Sequence, residues 1–168
     1  MSTHNATIAW SLGGAGDADF LAGHYSRAHS ISFDGGVTLP GSASPSVVKL
    51  PWSVEAAADP EELLVAAVSS CHMLWFLDFA KHAGVVVRTY SDEPVGSMGK
   101  MPDGKVGVTR IVLRPLVSFG SAPPGDLIER LHHEAHDACF IANSIKSEVV
   151  IEPRPPAHSI PPQAALQA

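Results

Sequence analysis

Cysteine and positive charge are both scarce in this chain. Only two of its 168 residues are cysteines, Cys71 and Cys139, and 11 Lys and Arg stand against 17 Asp and Glu, which gives a net charge of −6. Because no basic stripe interrupts this acidic excess, nucleic acid is an unsuitable partner. Residues 1–6 lack a positively charged segment followed by an apolar one, so we expect no secretory signal and a cytoplasmic location, where permanent disulfides are rare.

Long apolar runs free of polar residues are also lacking. The longest run, residues 63–79, is interrupted by Ser69, Ser70, His72 and Asp78. It therefore predicts a buried helix, and we expect no membrane span. The chain length suits one domain with its own hydrophobic core, which we place at residues 1–153. Residues 154–168 are rich in Pro, Ala and Gln without periodicity and predict a flexible tail.

The spacing of apolar residues predicts three strands, a long helix, a strand hairpin, a second helix and a last strand. The predicted strands are residues 7–12, 24–33, 37–39, 85–90, 106–119 and 147–152, with 47–50 as an extension or an edge and 92–105 as an irregular connection. The second helix opens at Pro123 and has an apolar stripe of Leu127, Ile128, Leu131, Ala135, Ala138 and Cys139. Segregated elements in this order define an α+β fold.

The long helix, residues 59–84, has clear end signals. Asp59 is a suitable N-cap, Pro60 fits the first helical position, and Gly84 ends the helix. Glu61 and Glu62 lie where the helix dipole favours anions. Because the middle of this helix is apolar on nearly every side, a sheet, another helix or a second subunit must cover it.

Two stretches carry a family resemblance. The sequence DPEELLVAAVSSCH, residues 59–72, together with a second cysteine in HDACFIANS, resembles the osmotically inducible protein C and organic hydroperoxide resistance family (OsmC/Ohr) over about residues 37–152. The resemblance implies an OsmC-like fold, with antiparallel sheets around a long central helix, in an intertwined homodimer. It also implies a thiol-dependent peroxidase that reduces organic hydroperoxides to alcohols without a cofactor and is recycled by a dithiol, a lipoyl group in the best-known branch.

The resemblance also assigns roles to particular residues. It places the peroxidatic cysteine at Cys71, the resolving cysteine at Cys139, and the catalytic glutamate, ten residues before the first thiol, at Glu61. The catalytic arginine falls on Arg27, with Lys49 as the main rival. Two departures, His72 and Phe140 after the two cysteines, leave the family branch, the peroxide and the reductant open.

The chemistry of a peroxidatic thiol sets its own requirements. A thiolate attacks the terminal peroxide oxygen and becomes a sulfenic acid, which a second thiol converts to a disulfide. Cys71 lies in the middle of its predicted helix, so a nearby cation rather than the helix dipole must favour its thiolate. Arg27 is the first candidate, because it shares the inward face of its predicted strand with Ile31, and His29 or His72 is the second. Glu61 would hold the guanidinium by a charge-assisted pair.

Helix geometry constrains how Glu61 can serve the same site as Cys71. Ten helical residues separate the two by about 15 Å along the axis, which a side chain cannot span. Either the helix breaks between them or the carboxylate comes from a second copy of the chain. We adopt the second copy as the working hypothesis.

Two other interpretations of the polar residues compete with this one. His132, His133 and His136 invite a zinc site, but His133 and His136 face away from the apolar stripe, so a solvated surface is the better interpretation and we expect no metal. A non-catalytic, stress-associated member that binds a small hydrophobic molecule is the alternative function, in which the thiols are incidental. Trp75 and Phe76 near Cys71 favour alkyl or lipid peroxides if the protein is an enzyme.

Overall fold

The computed structural model of the chain describes residues 2–155. The contacts of these residues divide them into two compact units, the first ending at residue 66 and the second beginning at residue 67, and the division falls inside the long helix. Arg154, the first residue of the predicted tail, donates its backbone N–H to the Pro115 carbonyl at 2.8 Å and forms an ion pair with Glu93 at 3.0 Å. The rest of the tail prediction concerns residues 156–168, which lie outside the described part of the chain.

The first unit is built on a three-stranded antiparallel sheet. Strands β1 (Ala6–Ala9), β2 (His29–Phe33) and β3 (Thr38–Gly41) pair in that order, and a short helix α1 (Asp17–Leu21) connects β1 to β2. Gly36, with φ of +87°, makes the turn between β2 and β3. The second predicted strand was too long, because residues 24–28 precede β2, and residues 47–50 form a turn rather than a strand.

Helix α2 (Pro60–His82) follows the limits that its end signals predict. Asp59 and Glu62 cap it reciprocally: the Glu62 N–H donates to Asp59 Oδ1 at 2.7 Å, and the Asp59 N–H donates to Glu62 Oε2 at 3.0 Å. Gly84, with φ of +71°, follows its last turn. The helix is therefore continuous between Glu61 and Cys71.

Only one stripe of α2 is buried. Val68, His72, Phe76 and Ala80, each four residues after the last, are its buried members. By length and composition alone α2 could cross a membrane, a test that core helices of soluble proteins also pass, and 22% of its apolar window is buried in this chain. Within one chain the helix is therefore covered along this stripe only, and Leu74, for example, is 61% exposed.

The second unit contains two further sheets. Strand β4 (Val87–Ser91) pairs antiparallel with β7 (Leu116–Phe119), and β6 (Val106–Leu113) pairs antiparallel with β5 (Val95–Lys100) and parallel with β8 (Glu148–Ile151). The sheets are thus not purely antiparallel. Strand β5 was missed because its Gly- and Met-containing sequence lacks strand periodicity.

The predicted strand 106–119 is in fact two strands. Pro115 has no N–H to donate and is buried at the break, and the Arg114 N–H donates to Asp92 Oδ1 at 2.6 Å instead of to a neighbouring strand. The predicted pairing of residues 85–90 with residues 106–119 is therefore confirmed only for β7, which pairs with β4, and not for β6.

The core of the second unit lies between α2, β7 and helix α3 (Leu127–Ala138). Its fully packed members are Phe76, Ala80, Val117, Leu131 and Ala135. The predicted stripe of α3 is confirmed at Leu131 and Ala135, and Cys139 is 1% exposed. Cys139 is the C-cap of α3 rather than part of the helix, and a short 3-10 helix (Ala142–Ser144) follows it.

Candidate active site

The two cysteines lie together in the second unit. Cys71 is half-buried on α2, Cys139 is buried at the end of α3, and both are free thiols, near enough to each other that Cys71 raises the pKa of Cys139. The Cys139 Sγ also accepts the Ala142 N–H at 3.4 Å and lies 4.0 Å from the Val68 carbonyl oxygen. The structure thus brings together the two thiols that the sequence suggests as a redox pair.

The Cys139 thiol is held in its protonated form. Burial raises its pKa from 9.0 to about 11, and the hydrogen bond to Cys71 acts in the same direction. The backbone N–H groups of Ala142 and Ile141 lower the pKa, but less than burial raises it. A buried, protonated thiol is a poor first nucleophile, so the environment of Cys139 suits a second, resolving step.

Beside the thiols lies a buried pair of histidines. His72 and His132 are 1% and 4% exposed, their Nε2 and Nδ1 atoms are 3.1 Å apart, and their rings are nearly parallel. The Phe76 ring stacks on His132 with the ring centroids 4.3 Å apart. The pattern of α2 could have revealed His72, since it lies four residues from both Val68 and Phe76. The pattern of α3 could have revealed His132 in the same way, since it lies four residues after Ile128 and seven before Cys139.

Both buried imidazoles are neutral at neutral pH. Burial, followed by the charge of a neighbouring histidine, lowers the pKa of His72 and of His132 from 6.5 to about 4. His136 is that neighbour for His72, and Asp92 opposes the shift only weakly. The suggestion that His72 could be the cation beside Cys71 is therefore wrong, because a neutral imidazole cannot stabilise a thiolate by its charge.

The other two histidines of α3 differ from each other. His133 is exposed and lies 3.4 Å from the Asp137 carboxylate, as the solvated-surface interpretation predicts, while His136 is half-buried. Within residues 2–155 no group of three or more His, Cys, Asp or Glu side chains has the geometry to hold a metal ion.

Asp92 and Tyr90 complete the polar groups near the histidines. Asp92 Oδ2 accepts the Ser69 hydroxyl at 2.6 Å, and its other oxygen accepts the Arg114 N–H. Burial, with the charge of Asp92, raises the pKa of Tyr90 above its usual range, so Tyr90 is neutral. Asp92, which begins the predicted irregular connection, thus links α2 to the segment between β6 and β7 through these two hydrogen bonds.

Arg27 belongs to the first unit and precedes β2 rather than lying within it. Its guanidinium donates to the Gly23 carbonyl at 2.7 Å and to the Tyr25 carbonyl, and it lies 3.7 Å from the centroid of the Tyr25 ring. Among the described residues it forms no ion pair with Glu61, so the expected charge-assisted pair is not formed within one chain. Lys49 is exposed in a turn, and His29 Nδ1 is 2.9 Å from the Arg27 carbonyl oxygen.

The two glutamates at the start of α2 have separate surroundings. Glu62 forms the capping box with Asp59, whereas Glu61 is half-buried and takes no part in the cap. Because α2 is continuous, the first of the two geometric options, a break between Glu61 and Cys71, is excluded.

Fold and cysteine pair together define an α+β protein with two adjacent, unbonded thiols in one half. The sequence profile of the OsmC-like protein family matches residues 53–154, so the chain belongs to that family. Comparison with curated proteins finds no significant match.

Solved structures agree with this family. An OsmC-like protein of unknown function from Vibrio cholerae is 49% identical, with a TM-score of 0.87 over 92% of this chain and 100% of that one. An organic hydroperoxide resistance protein from Elizabethkingia anophelis is 16% identical, with a TM-score of 0.64 over 91% of this chain and 94% of that one. The organic hydroperoxide resistance protein OhrB of Bacillus subtilis is 18% identical, with a TM-score of 0.61 over 91% and 98%. The last two likenesses concern the fold alone.

Proposed function

We propose that this protein is a thiol-dependent peroxidase that reduces organic hydroperoxides to alcohols. The observation that carries the proposal is that the only two cysteines of the chain, both free, are near enough to each other for Cys71 to raise the pKa of Cys139. Relatives of the same fold are named organic hydroperoxide resistance proteins, which agrees with this chemistry.

The proposed reaction has two steps. The Cys71 thiolate attacks the terminal oxygen of the hydroperoxide, the O–O bond breaks, and the alkoxide takes a proton and leaves as the alcohol. Cys71 is then a sulfenic acid. Cys139 loses its proton, attacks the Cys71 sulfur and expels water, so that a Cys71–Cys139 disulfide forms. A dithiol reductant, such as a reduced lipoyl group, then gives two electrons and two protons to this disulfide, which restores both cysteine thiols while the reductant becomes a disulfide.

Arg27 and Glu61 are the proposed charged partners of Cys71, with Lys49 as the rival cation. Since α2 holds Glu61 and Cys71 of one chain about 15 Å apart along its axis, we propose that a homodimer supplies the carboxylate from a second copy. The exposed apolar side chains Leu74 and Phe140 support this, because a second copy would bury them.

Titration with an organic hydroperoxide tests the peroxidase. One equivalent of cumene hydroperoxide should remove both free thiols, release one cumyl alcohol and form one intramolecular disulfide, seen by mass spectrometry. Cys71→Ser should abolish turnover, whereas Cys139→Ser should permit a single oxidation at Cys71. A greater loss of the first oxidation in Cys139→Ser would reverse the two roles, and thiols that survive excess hydroperoxide would refute the proposal.

A non-catalytic member that binds a small apolar molecule is the second candidate. The feature that could serve it is a groove of about 1050 Å³ beside α3, where Ile128, Ile151 and Pro153 supply apolar surface among charged residues that include Glu129, Arg130 and Glu134. In that case the titration would leave both thiols free, and an apolar fluorescent probe would bind in a manner that Ile128→Asp weakens.

A further inference from the structure

The buried His72–His132 pair stabilises the core less than two apolar side chains of similar size would. The hydrogen bond between the two rings uses one nitrogen of each, and the outer nitrogens, His72 Nδ1 and His132 Nε2, are buried without a partner among the described residues. In a pair of neutral rings, one outer nitrogen carries a hydrogen and the other a lone pair. A buried donor and a buried acceptor are thus both unsatisfied, a cost that two apolar side chains would avoid.

These histidines occupy the two segments that carry the thiols. His72 directly follows Cys71 on α2, and His132 lies seven residues, or about two turns, before Cys139, so that both project from nearly the same side of α3. Asp92, the carboxylate whose charge acts on His72, accepts hydrogen bonds from the Ser69 hydroxyl and from the backbone N–H of Arg114. The two rings therefore have each other as their only hydrogen-bond partners among the described residues.

Three contacts place α3 along α2 in one register. They are Cys139 Sγ to the Val68 carbonyl at 4.0 Å, His72 to His132 at 3.1 Å, and the stacking of Phe76 on His132. The first of these is a long, weak sulfur contact. The third is an aromatic stacking contact, which persists when one ring is displaced along the other. The second is directional, since a shift by one helical turn, about 5.4 Å along the axis, would break it and leave four buried ring nitrogens unsatisfied.

We propose that His72 and His132 are positioning residues that fix the register of α3 on α2 and so hold the Cys139 thiol against Cys71. A single buried polar contact can select one register among several that apolar packing would tolerate. The pair costs stability and provides a defined distance between the two sulfurs. This inference concerns thiol pairing alone and goes beyond the proposed peroxidase, because it holds for any chemistry that uses the two cysteines.

The equilibrium with dithiothreitol measures that positioning directly. Oxidised dithiothreitol takes two electrons and two protons from the thiols, and the Cys71–Cys139 disulfide forms as the reagent becomes a dithiol. Two double variants separate polarity from packing. His72→Phe with His132→Leu makes the contact apolar, while His72→Gln with His132→Asn keeps polar atoms near the positions of Nε2 and Nδ1. His133→Asn, one residue along α3 and exposed, is the matched control.

We expect the apolar double variant to lower the equilibrium constant for disulfide formation about tenfold while its denaturation midpoint is unchanged or higher. The equilibrium constant of the polar double variant should stay within about threefold of the wild-type value. That of the control, His133→Asn, should equal the wild-type value. If the histidines had a purely structural role, the equilibrium constant for disulfide formation would change in the same direction as the denaturation midpoint. An apolar variant of unchanged or higher stability would then form the disulfide at least as readily as the wild type.

An apolar variant with the wild-type equilibrium constant would overturn the proposal, as would a polar variant that loses as much as the apolar one. If the apolar double variant does not fold, as judged by circular dichroism, the single variants His132→Leu and His132→Asn decide by the same comparison. Because no peroxide is used, thiols that are inert to hydroperoxides would refute the proposed function and leave this result unaffected.

Discussion

Burial sets the protonation state of the residues around the thiols. It raises the pKa of Cys139 to about 11 and lowers the pKa of His72 to about 4, so both groups are neutral at pH 7. Neither carries a positive charge that could favour the Cys71 thiolate. The proposed peroxidase therefore needs a permanently charged group. Arg27, which we propose for that role, is fixed by main-chain carbonyls and by the face of Tyr25.

Replacement of Arg27 by Met tests its role as that cation. If the guanidinium favours the Cys71 thiolate, Arg27→Met should slow alkylation of Cys71 by iodoacetamide at pH 7 by about tenfold or more and move the rate profile to higher pH. The measurement is made in a Cys139→Ser background, so that only one thiol reacts. Lys49→Met is the matched control, and a slower reaction in Lys49→Met alone would transfer the role to Lys49.

Helices α2 and α3 make a contact that mixes apolar and polar packing. Phe76, Leu131 and Ala135 form part of the core, and the two imidazoles lie in the same helix pair. An added proton would place a charge among apolar side chains and create one more N–H without an acceptor. The helix pair should therefore be sensitive to acid at a pH where the carboxylates are still ionised.

Acid should lower the free energy of unfolding through these two histidines. In the unfolded chain both take up protons near their ordinary pKa of 6.5, whereas in the folded chain both resist until about pH 4. Their contribution is complete above pH 6.5 and is lost as the pH falls from 6.5 towards 4, by an amount on the order of several kcal/mol. Urea denaturation at stepwise pH measures it.

The control for this prediction is the variant His72→Gln with His132→Asn, which cannot titrate in this range. Its free energy of unfolding should fall less steeply between pH 6.5 and 4 than that of the wild type, while the exposed variant His133→Asn should remain close to the wild type. Parallel curves for the wild type and the polar variant would show that the buried rings are not the acid-sensitive groups.

At the scale of the whole molecule, α2 has more apolar surface than a single chain buries. Its buried stripe is one residue wide, and Leu74 remains exposed, as does Phe140 beside Cys139. A continuous helix also separates Glu61 from Cys71 of the same chain. Both observations are explained if the active form is a homodimer with a shared site.

A mixture of two inactive variants can distinguish a shared site from a site within one chain. Glu61→Ala and Cys71→Ser should each lack peroxidase activity. After the subunits are unfolded together and refolded, a mixed dimer has one site with Cys71 from one chain and Glu61 from the other. Random mixing should then restore about a quarter of the wild-type activity, since half the dimers are mixed and each has one intact site of two.

The same mixture provides its own control. Each variant refolded alone should remain inactive, and sedimentation should show the mass of two chains in every sample. If the mixture stays inactive although mixed dimers are present, Glu61 does not serve the partner's thiol. A fully active monomer would remove the dimer from the mechanism altogether.

The sequence by itself determined the family, the α+β class and the limits of α2. Those features depend on local signals, namely the cap at Asp59, the stop at Gly84 and the spacing of acid and thiol in residues 59–72, which need no distant contact to be recognised. Periodicity also predicted the stripe of α3. It failed at Pro115 and in β5, where hydrogen bonds to Asp92 and to β6 override local preference.

Only the tertiary structure decided the chemical state of the polar residues. That Cys139 lies near Cys71 and that His132 is buried with His72 both depend on segments far apart in the chain. Protonation depends on solvation and on neighbouring charges, and both are properties of the folded surroundings rather than of residue type. A histidine after a cysteine is thus a possible cation in the sequence and a neutral, buried partner in the fold.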